Sequence, residues 1–92
     1  MMLHVIAYDI TDDARRSGVA RILLDYGERI QYSVFEADLD AASLSELVSR
    51  VSRMLDVEED RLKIYRLCGA CVGAIQNLGR SRSLTAPQRW VV

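Results

Sequence analysis

The stretch LHVIAYDI at residues 3–10 is the first apolar run of the chain, and it carries a carboxylate near its end. Alternating positions along it predict a β-strand whose two faces are both largely apolar, as expected of a strand covered on both sides. In a chain of 92 residues, helices can cover one face of such a sheet. The other face needs a partner, and a homodimer is the first expectation.

The segments that follow alternate between helical and strand periodicity. A helix over residues 12–26, capped by Thr11 or Asp12 and stopped by Gly27, follows from its apolar spacing and its first-turn acids. A second helix over residues 43–55 opens on SLSE, which fits a capping box led by Ser43. The remaining patterns predict strands, over residues 29–39, 61–67, 72–76 and 89–92.

The order of these segments leaves the topology open at one place. In a ferredoxin-like fold a β-hairpin lies between the two helices, but residues 29–39 contain no clear turn. Either the second strand is short and ends near Tyr32 or Ser33, or the last strands supply the missing edge. Periodicity alone does not choose between them.

Composition limits the function classes. The length predicts one domain, residues 1–92, and the hydrophobic half of its residues is enough to form a buried core. The formal net charge is −1. The mild acidity means that nucleic-acid binding would need a local arginine patch or a bridging metal. No apolar stretch reaches the ~20 residues of a membrane span, and the N-terminus lacks the pattern of a signal peptide. We therefore expect a cytoplasmic location and no membrane partner.

Asp9, Arg15 and Arg16 are the residues whose placement suggests chemistry. A carboxylate leaving a strand is a ligand for a hard cation such as Mg²⁺, and guanidinium groups match phosphate bidentately. One carboxylate per chain is a poor site, but two related by a dimer axis could share an ion. The competing interpretation is that Asp9 merely ends the strand, while Arg15 and Arg16 pair with Asp12 or Asp13 on a solvated helix face.

The same residues resemble the CRISPR-associated protein 2 family. The matching segments are YDI at residues 8–10, RR at 15–16 with VA at 19–20, YG at 26–27 and RIQYSVFE at 29–36, and QYSVFE is the most specific of them. The resemblance implies an α+β, ferredoxin-like βαββαβ sandwich with an extra C-terminal strand, homodimeric. The segment at residues 79–92 either crosses to the partner subunit or packs on its own subunit, and the sequence does not choose between them.

The resemblance also implies a function and a set of site residues. It implies a CRISPR adaptation (spacer acquisition) protein that binds spacer DNA or RNA and the CRISPR-associated protein 1 integrase, with Mg²⁺-dependent phosphodiester hydrolysis. Asp9 would be the catalytic and metal-binding residue. The phosphate-binding residues would be Arg15, Arg16 and Arg29. Tyr8, Ser33 and Phe35 would lie near the site, although core packing is the default interpretation of the two aromatic rings.

Two other functions remain open. The first is a structural adaptor of the integrase complex, in which Asp9 has no chemical role. The slight acidity of the chain favours this adaptor. So does the lack of further positive charge directly after Arg16, where the uncharged residues Ser17 and Gly18 follow. The second is a toxin-like ribonuclease of the VapD type, which would act without an integrase.

Cys68 and Cys71 have the spacing of a redox pair or of half a zinc site. A structural zinc site needs four protein ligands, and the single histidine, His4, lies on an apolar strand. Packing of small, reduced thiols is therefore the expectation. The acidic run at residues 58–60 is interpreted as a solvated turn. The basic segment at residues 80–83 is interpreted as a loop or tail that either contacts phosphates or keeps an edge strand soluble.

Overall fold

The computed structural model describes residues 2–79, which form one four-stranded antiparallel sheet and three helices. In chain order these are β1 (Met2–Asp9), α1 (Asp13–Leu24), β2 (Glu28–Gln31), β3 (Val34–Leu39), α2 (Ala41–Met54), β4 (Arg61–Leu67) and α3 (Gly69–Gly73). The strand order is β2-β3-β1-β4, with β1 between β3 and β4. The α+β, ferredoxin-like prediction is confirmed, because the two central strands are β1 and β3 and a hairpin separates the helices.

That hairpin settles the question that the sequence left open. The segment 29–39, predicted as one strand, is interrupted by a turn at Tyr32 and Ser33, and Gln31 pairs with Val34 across it. A register irregularity between Arg29 and Gln31 accompanies the turn. No non-glycine residue between 2 and 79 has a positive φ, so the turn does not use the Asn-Gly or Gly-rich conformation that makes most short hairpins visible in a sequence.

Both long helices are capped by aspartates. The Asp12 side chain accepts the amide of Arg15 at 2.9 Å, as the sequence predicted. The predicted capping box of α2 is wrong. Asp40 caps the helix instead by accepting the Ser43 amide at 2.7 Å, and the contact lowers the pKa of the Asp40 carboxyl. With its cap at Asp40 instead of Ser43, the helix begins at Ala41 and includes Ala41 and Ala42, which have high helix propensity.

The core lies between one face of the sheet and helices α1 and α2. Its fully buried side chains come from the sheet and from both helices. They are Ile6 and Phe35 of the sheet, Val19 and Leu23 of α1, and Leu47 of α2. The opposite face is more open, because Val5 and Ala7 of β1 remain partly exposed there and Tyr65 of β4 is 51% exposed. The apolar strand that suggested cover on both sides thus has helices on one side.

The segment after β4 differs from its prediction. Residues 72–76 do not form a strand, because α3 extends to Gly73 and only Asn77 makes an isolated bridge. The small side chains of the GAC segment pack poorly in a strand, and Cys68 caps a helical turn in its place. The predicted strand at residues 89–92 and the crossing segment at residues 79–92 fall, apart from Gly79, outside the described residues. None of the helices between residues 2 and 79 has the length and apolar character needed to span a membrane.

Gly27 gives a stability prediction. A Cβ at this position would lie 2.1 Å from the backbone oxygen of Glu36 and 2.7 Å from the Ala37 Cβ, so Gly27 lets the end of α1 close onto β3. We expect Gly27→Ala to lower the free energy of unfolding in urea by about 2–3 kcal/mol, since the backbone must move. Gly18→Ala is the matched control, because its Cβ would meet only the flexible end of Met54, at 2.7 Å. It should cost nothing, or stabilise α1 by up to ~1 kcal/mol.

Candidate metal and phosphate site

Asp9 is the last residue of β1, and its side chain is exposed. Alternation along β1 places it on the open face of the sheet, with Leu3, Val5 and Ala7, and it is paired in register with Arg61 of β4. The Asp9 carboxylate makes no ion pair or side-chain hydrogen bond with any other residue between 2 and 79. Within the described residues the carboxylate therefore has no charged or hydrogen-bonded partner of its own.

A shallow depression beside Asp9 is formed where β1 ends, α1 begins and the β2–β3 turn passes. Its volume is about 370 Å³. Its lining residues are Tyr8, Asp9, Ile10, Thr11, Arg16, Tyr32 and Ser33. A second depression, of about 240 Å³, lies on the β4 side of Asp9 and contains Arg61 and Lys63. Asp9 thus stands between two shallow surfaces, each with cationic side chains.

Arg16 is held at the rim of the first depression by the chain around it. Its guanidinium donates to the backbone oxygens of Ile10 at 3.0 Å and Thr11 at 3.2 Å, and it pairs with Asp13. The pairing with Asp13 raises the pKa of the Arg16 guanidinium. These contacts position a permanent positive charge within the same depression as Asp9. Of the two partners that the sequence suggested for Arg16, Asp12 and Asp13, the structure shows Asp13.

Tyr32 is the residue of this site that sequence reasoning missed. It is 68% exposed, and the guanidinium carbons of Arg16 and Arg29 lie 5.9 and 5.8 Å from its ring centroid. Such distances allow cation–π attraction between the ring and each guanidinium. An aromatic residue in a hairpin turn is expected to be exposed, and this signal could have revealed Tyr32. The turn was not predicted from the sequence, so the signal was missed.

The remaining near-site residues are structural. Tyr8 and Phe35 are buried, with ring centroids 6.2 Å apart, so core packing, the default interpretation of both, is their role in this fold. The Tyr8 hydroxyl donates to the Tyr32 backbone oxygen at 3.2 Å, and the Tyr8 amide donates to the Ser33 oxygen at 3.1 Å. These two bonds fix the hairpin turn against the end of β1. Arg29, on edge strand β2, also approaches the Phe35 ring at 5.2 Å.

Arg15 points away from the depression and into an ion pair that the sequence did not indicate. Its guanidinium donates to Asp60 at 2.8 and 3.2 Å and to Glu59 at 3.4 Å. The Asp60 side chain is fully buried and also accepts the Asp56 amide at 2.9 Å, so the expectation of a solvated turn is wrong for this residue. A phosphate-binding role for Arg15 stays a prediction, and it would require the guanidinium to leave a buried partner.

The Arg15–Asp60 pair predicts a pH dependence of stability. The Arg15 guanidinium holds the pKa of the Asp60 carboxyl below its ordinary value. A depressed carboxyl pKa stabilises the fold above the unfolded-state pKa of ~3.9, and that stability is lost as the pH falls through the folded-state pKa. We expect Asp60→Asn to lower Tm by at least about 5 °C at pH 7, with the difference from wild type shrinking below about pH 4.

Thermal unfolding followed by circular dichroism from pH 3 to pH 7 measures this difference. Glu58→Gln is the control, because it removes an exposed acid from the same turn. A Tm difference for Asp60→Asn that stays constant over this pH range would contradict the assignment.

The acids and the histidine of the chain do not build a metal centre within one subunit. Among residues 2–79 no group of three or more His, Cys, Asp or Glu side chains comes together. His4 is buried, and its Nδ1 is 2.8 Å from the Met2 oxygen, far along β1 from Asp9. Mg²⁺ is often held by one or two carboxylates with water and phosphate oxygens. The exposed Asp9 carboxylate has the chemistry of one such ligand, and it stays a prediction that each chain supplies half of a shared Mg²⁺ site.

The cysteine prediction is wrong. Cys68 and Cys71 are both exposed instead of packed, because Cys68 caps α3 at the end of β4 and Cys71 lies in the first turn of that short helix.

The fold and the depression together define a class: small ferredoxin-like proteins with a carboxylate at the end of β1, unpaired within residues 2–79 here, and a fixed arginine beside it. The chain belongs to the CRISPR associated protein Cas2 family, whose model matches residues 1–75. A Synechocystis protein named CRISPR-associated endoribonuclease Cas2 3 is 42% identical over 92 residues, which cover 100% of this chain and 99% of the relative.

Two solved structures share the fold. Streptococcus pyogenes Cas2 is similar with a TM-score of 0.74 and 28% identity, over 85% of this chain and 100% of that one. A chain from a partial Cas6-RT-Cas1–Cas2 complex has a TM-score of 0.74 and 23% identity, over 84% of each chain. The second likeness is one of fold.

Proposed function

We propose that this protein acts in CRISPR adaptation as a homodimer that binds nucleic acid and a Cas1-type integrase. We also propose that it hydrolyses phosphodiester bonds with Mg²⁺. The observation that carries the proposal is the exposed Asp9 carboxylate, unpaired within residues 2–79, beside a fixed Arg16 and on the open apolar face of the sheet. An unpaired acid next to fixed cations suits a site that acquires its partner ion and substrate from outside.

The open face supports the homodimer. Val5, Ala7 and Tyr65 lie on the side of the sheet opposite α1 and α2, on the neighbouring strands β1 and β4, and all keep exposed surface. Contiguous apolar surface of this kind on a small domain marks an interaction site. A second copy of the same face would cover it, and Asp9 lies at its edge. Two such carboxylates, one from each subunit, would complete the half-site described above.

The residues around Asp9 have separate tasks in this proposal. Asp9 would hold Mg²⁺, which when bound polarises the phosphoryl oxygen and acidifies a water for in-line attack. Arg16, held by the backbone oxygens of Ile10 and Thr11, would bind a substrate phosphate without having to be ordered first. Arg29 and Tyr32 extend the same rim, where an exposed ring can stack on an unpaired base.

RNA is the first substrate to test, because the Synechocystis relative carries the name of an endoribonuclease. The integrase is the proposed protein partner, in line with family membership and with the fold shared with a chain from a Cas1–Cas2 complex. A second function, the non-catalytic adaptor, is favoured by one observation. Arg15 forms an ion pair with Asp60, so one of the three arginines predicted to bind phosphate already has a partner within the chain.

The experiment that tests the proposal is a cleavage assay with labelled single-stranded RNA and duplex DNA. We expect cleavage of one of them with Mg²⁺ and its loss on chelation with EDTA, with recovery when Mg²⁺ is restored in excess. Co-sedimentation with a Cas1 integrase and spacer-length duplex is run on the same preparation. Binding to the integrase without any cleavage would reject the hydrolysis and leave the adaptor.

A further inference from the structure

The CGAC segment at residues 68–71 places both cysteines of the chain on the surface, within one turn of each other. Cys68 is the N-cap of α3 and Cys71 lies three residues later, and neither is in a disulfide. The proposed hydrolysis uses neither thiol. Cys68 directly follows Leu67, which pairs with Leu3, whereas Asp9 lies six residues further along β1, about 20 Å away.

The two cysteines contact one another through the backbone. The Cys68 sulfur accepts the backbone amide of Cys71 at 3.5 Å, in the manner of a capping side chain. Residues three apart on a helical turn have Cβ atoms about 5–6 Å apart, whereas the Cβ atoms of a disulfide are about 3.5–4.5 Å apart. The two Cβ atoms must therefore approach by about 1–2 Å for the sulfurs to bond, and they lie in the first turn of a helix of only five residues.

The environments of the two sulfurs are unequal. The Cys71 amide lowers the pKa of the Cys68 thiol, and the neighbouring Cys68 sulfur raises the pKa of the Cys71 thiol. The attacking species in thiol–disulfide exchange is the thiolate. Cys68 is thus suited to attack an external disulfide, and Cys71 to attack second, after it has lost its proton.

We propose that Cys68 and Cys71 form a dithiol site that exchanges with low-molecular-weight disulfides such as oxidised glutathione and closes to an intramolecular disulfide. The Cys68 thiolate attacks one sulfur of the external disulfide, whose S–S bond breaks and releases one thiolate. The Cys71 sulfur gives its proton to water and attacks Cys68, and the second glutathione leaves as a thiolate. The two cysteines lose two electrons, and the external disulfide gains them.

The test uses the full chain, folded and fully reduced, incubated with oxidised glutathione at pH 7 and quenched with acid for mass spectrometry. The expected product lacks two hydrogen atoms, carries no glutathione, takes up no iodoacetamide and returns to the dithiol form with dithiothreitol. Accumulation of stable glutathione adducts or of disulfide-linked dimers, in place of this product, would overturn the proposal.

Two single variants test the order of attack. Cys71→Ser keeps the backbone amide at position 71, so Cys68 should form a stable mixed disulfide. Cys68→Ser removes the sulfur that caps α3. Its remaining thiol, Cys71, should react with oxidised glutathione at least about three times more slowly than Cys68 does in the Cys71→Ser variant. Circular dichroism confirms that each variant is folded, as expected for exposed positions. Equal rates in the two variants would show that Cys68 is not the preferred nucleophile.

Discussion

Asp9→Asn is expected to lower kcat/KM for Mg²⁺-dependent cleavage by on the order of 100-fold or more. The substitution keeps the size of the side chain and removes its charge, so it removes the ligand that an Mg²⁺ ion prefers. Asp9 is exposed and makes no side-chain hydrogen bond or ion pair within residues 2–79, so the fold should not change. A loss of activity with unchanged Tm would therefore report on the site.

Asp38→Asn is the matched control. Asp38 is also an exposed aspartate on the open face of the sheet, but it pairs with Leu3 at the opposite end of β1. This variant should keep its cleavage activity. Binding of Mn²⁺, followed by its electron paramagnetic resonance signal, gives a readout that is independent of turnover, and Asp9→Asn should weaken it. Full cleavage by Asp9→Asn would remove the metal site from the proposal.

Val5→Lys should convert the protein to a folded monomer, weakening dimerisation by on the order of 100-fold or more. Val5 lies at the centre of the open face, between Glu36 on β3 and Tyr65 on β4. In the monomer a lysine there has water beside it and an acid across the strand pair. In the proposed dimer, two lysines would enter one apolar interface, where unpaired charges are costly.

Sedimentation velocity at micromolar concentrations measures the change, and Val57→Lys is the control. Val57 is 91% exposed in the turn before β4, away from the open face, so this variant should dimerise like the wild type. Because the proposed site needs Asp9 from both subunits, Val5→Lys should also lose cleavage in proportion to the dimer lost. A wild-type chain that sediments as a monomer would reject the homodimer, and a fully dimeric Val5→Lys would show that another surface forms it.

The elements that periodicity predicted well are those whose residues are decided by burial. Strand β1 and the apolar faces of α1 and α2 follow from spacing alone, and so do the two candidate caps Thr11 and Asp12, of which α1 uses Asp12. The β2–β3 hairpin did not, because Tyr32 and Ser33 lack the glycine or asparagine that short hairpins usually carry. The start of α2 was misplaced because Asp40 and Ser43, three residues apart, are both good caps.

The candidate site shows the same division. Asp9 and Arg16 are separated by a short connection, so local sequence is enough to expect them together, and the structure places both in one depression. Arg15 is adjacent to Arg16, but its partner Asp60 lies 45 residues away. Nothing in the local pattern at either residue indicates that ion pair.

What the sequence by itself determined is therefore the kind of elements, a first strand that is apolar on both faces, and a carboxylate and an arginine flanking one turn. Only the tertiary structure decided which arginine remains beside Asp9, that Tyr32 lies under Arg16 and Arg29, and that the two cysteines are exposed. The physical reason is range. Periodicity and capping act over a few residues, whereas ion pairs and ring contacts depend on where the sheet brings distant segments together.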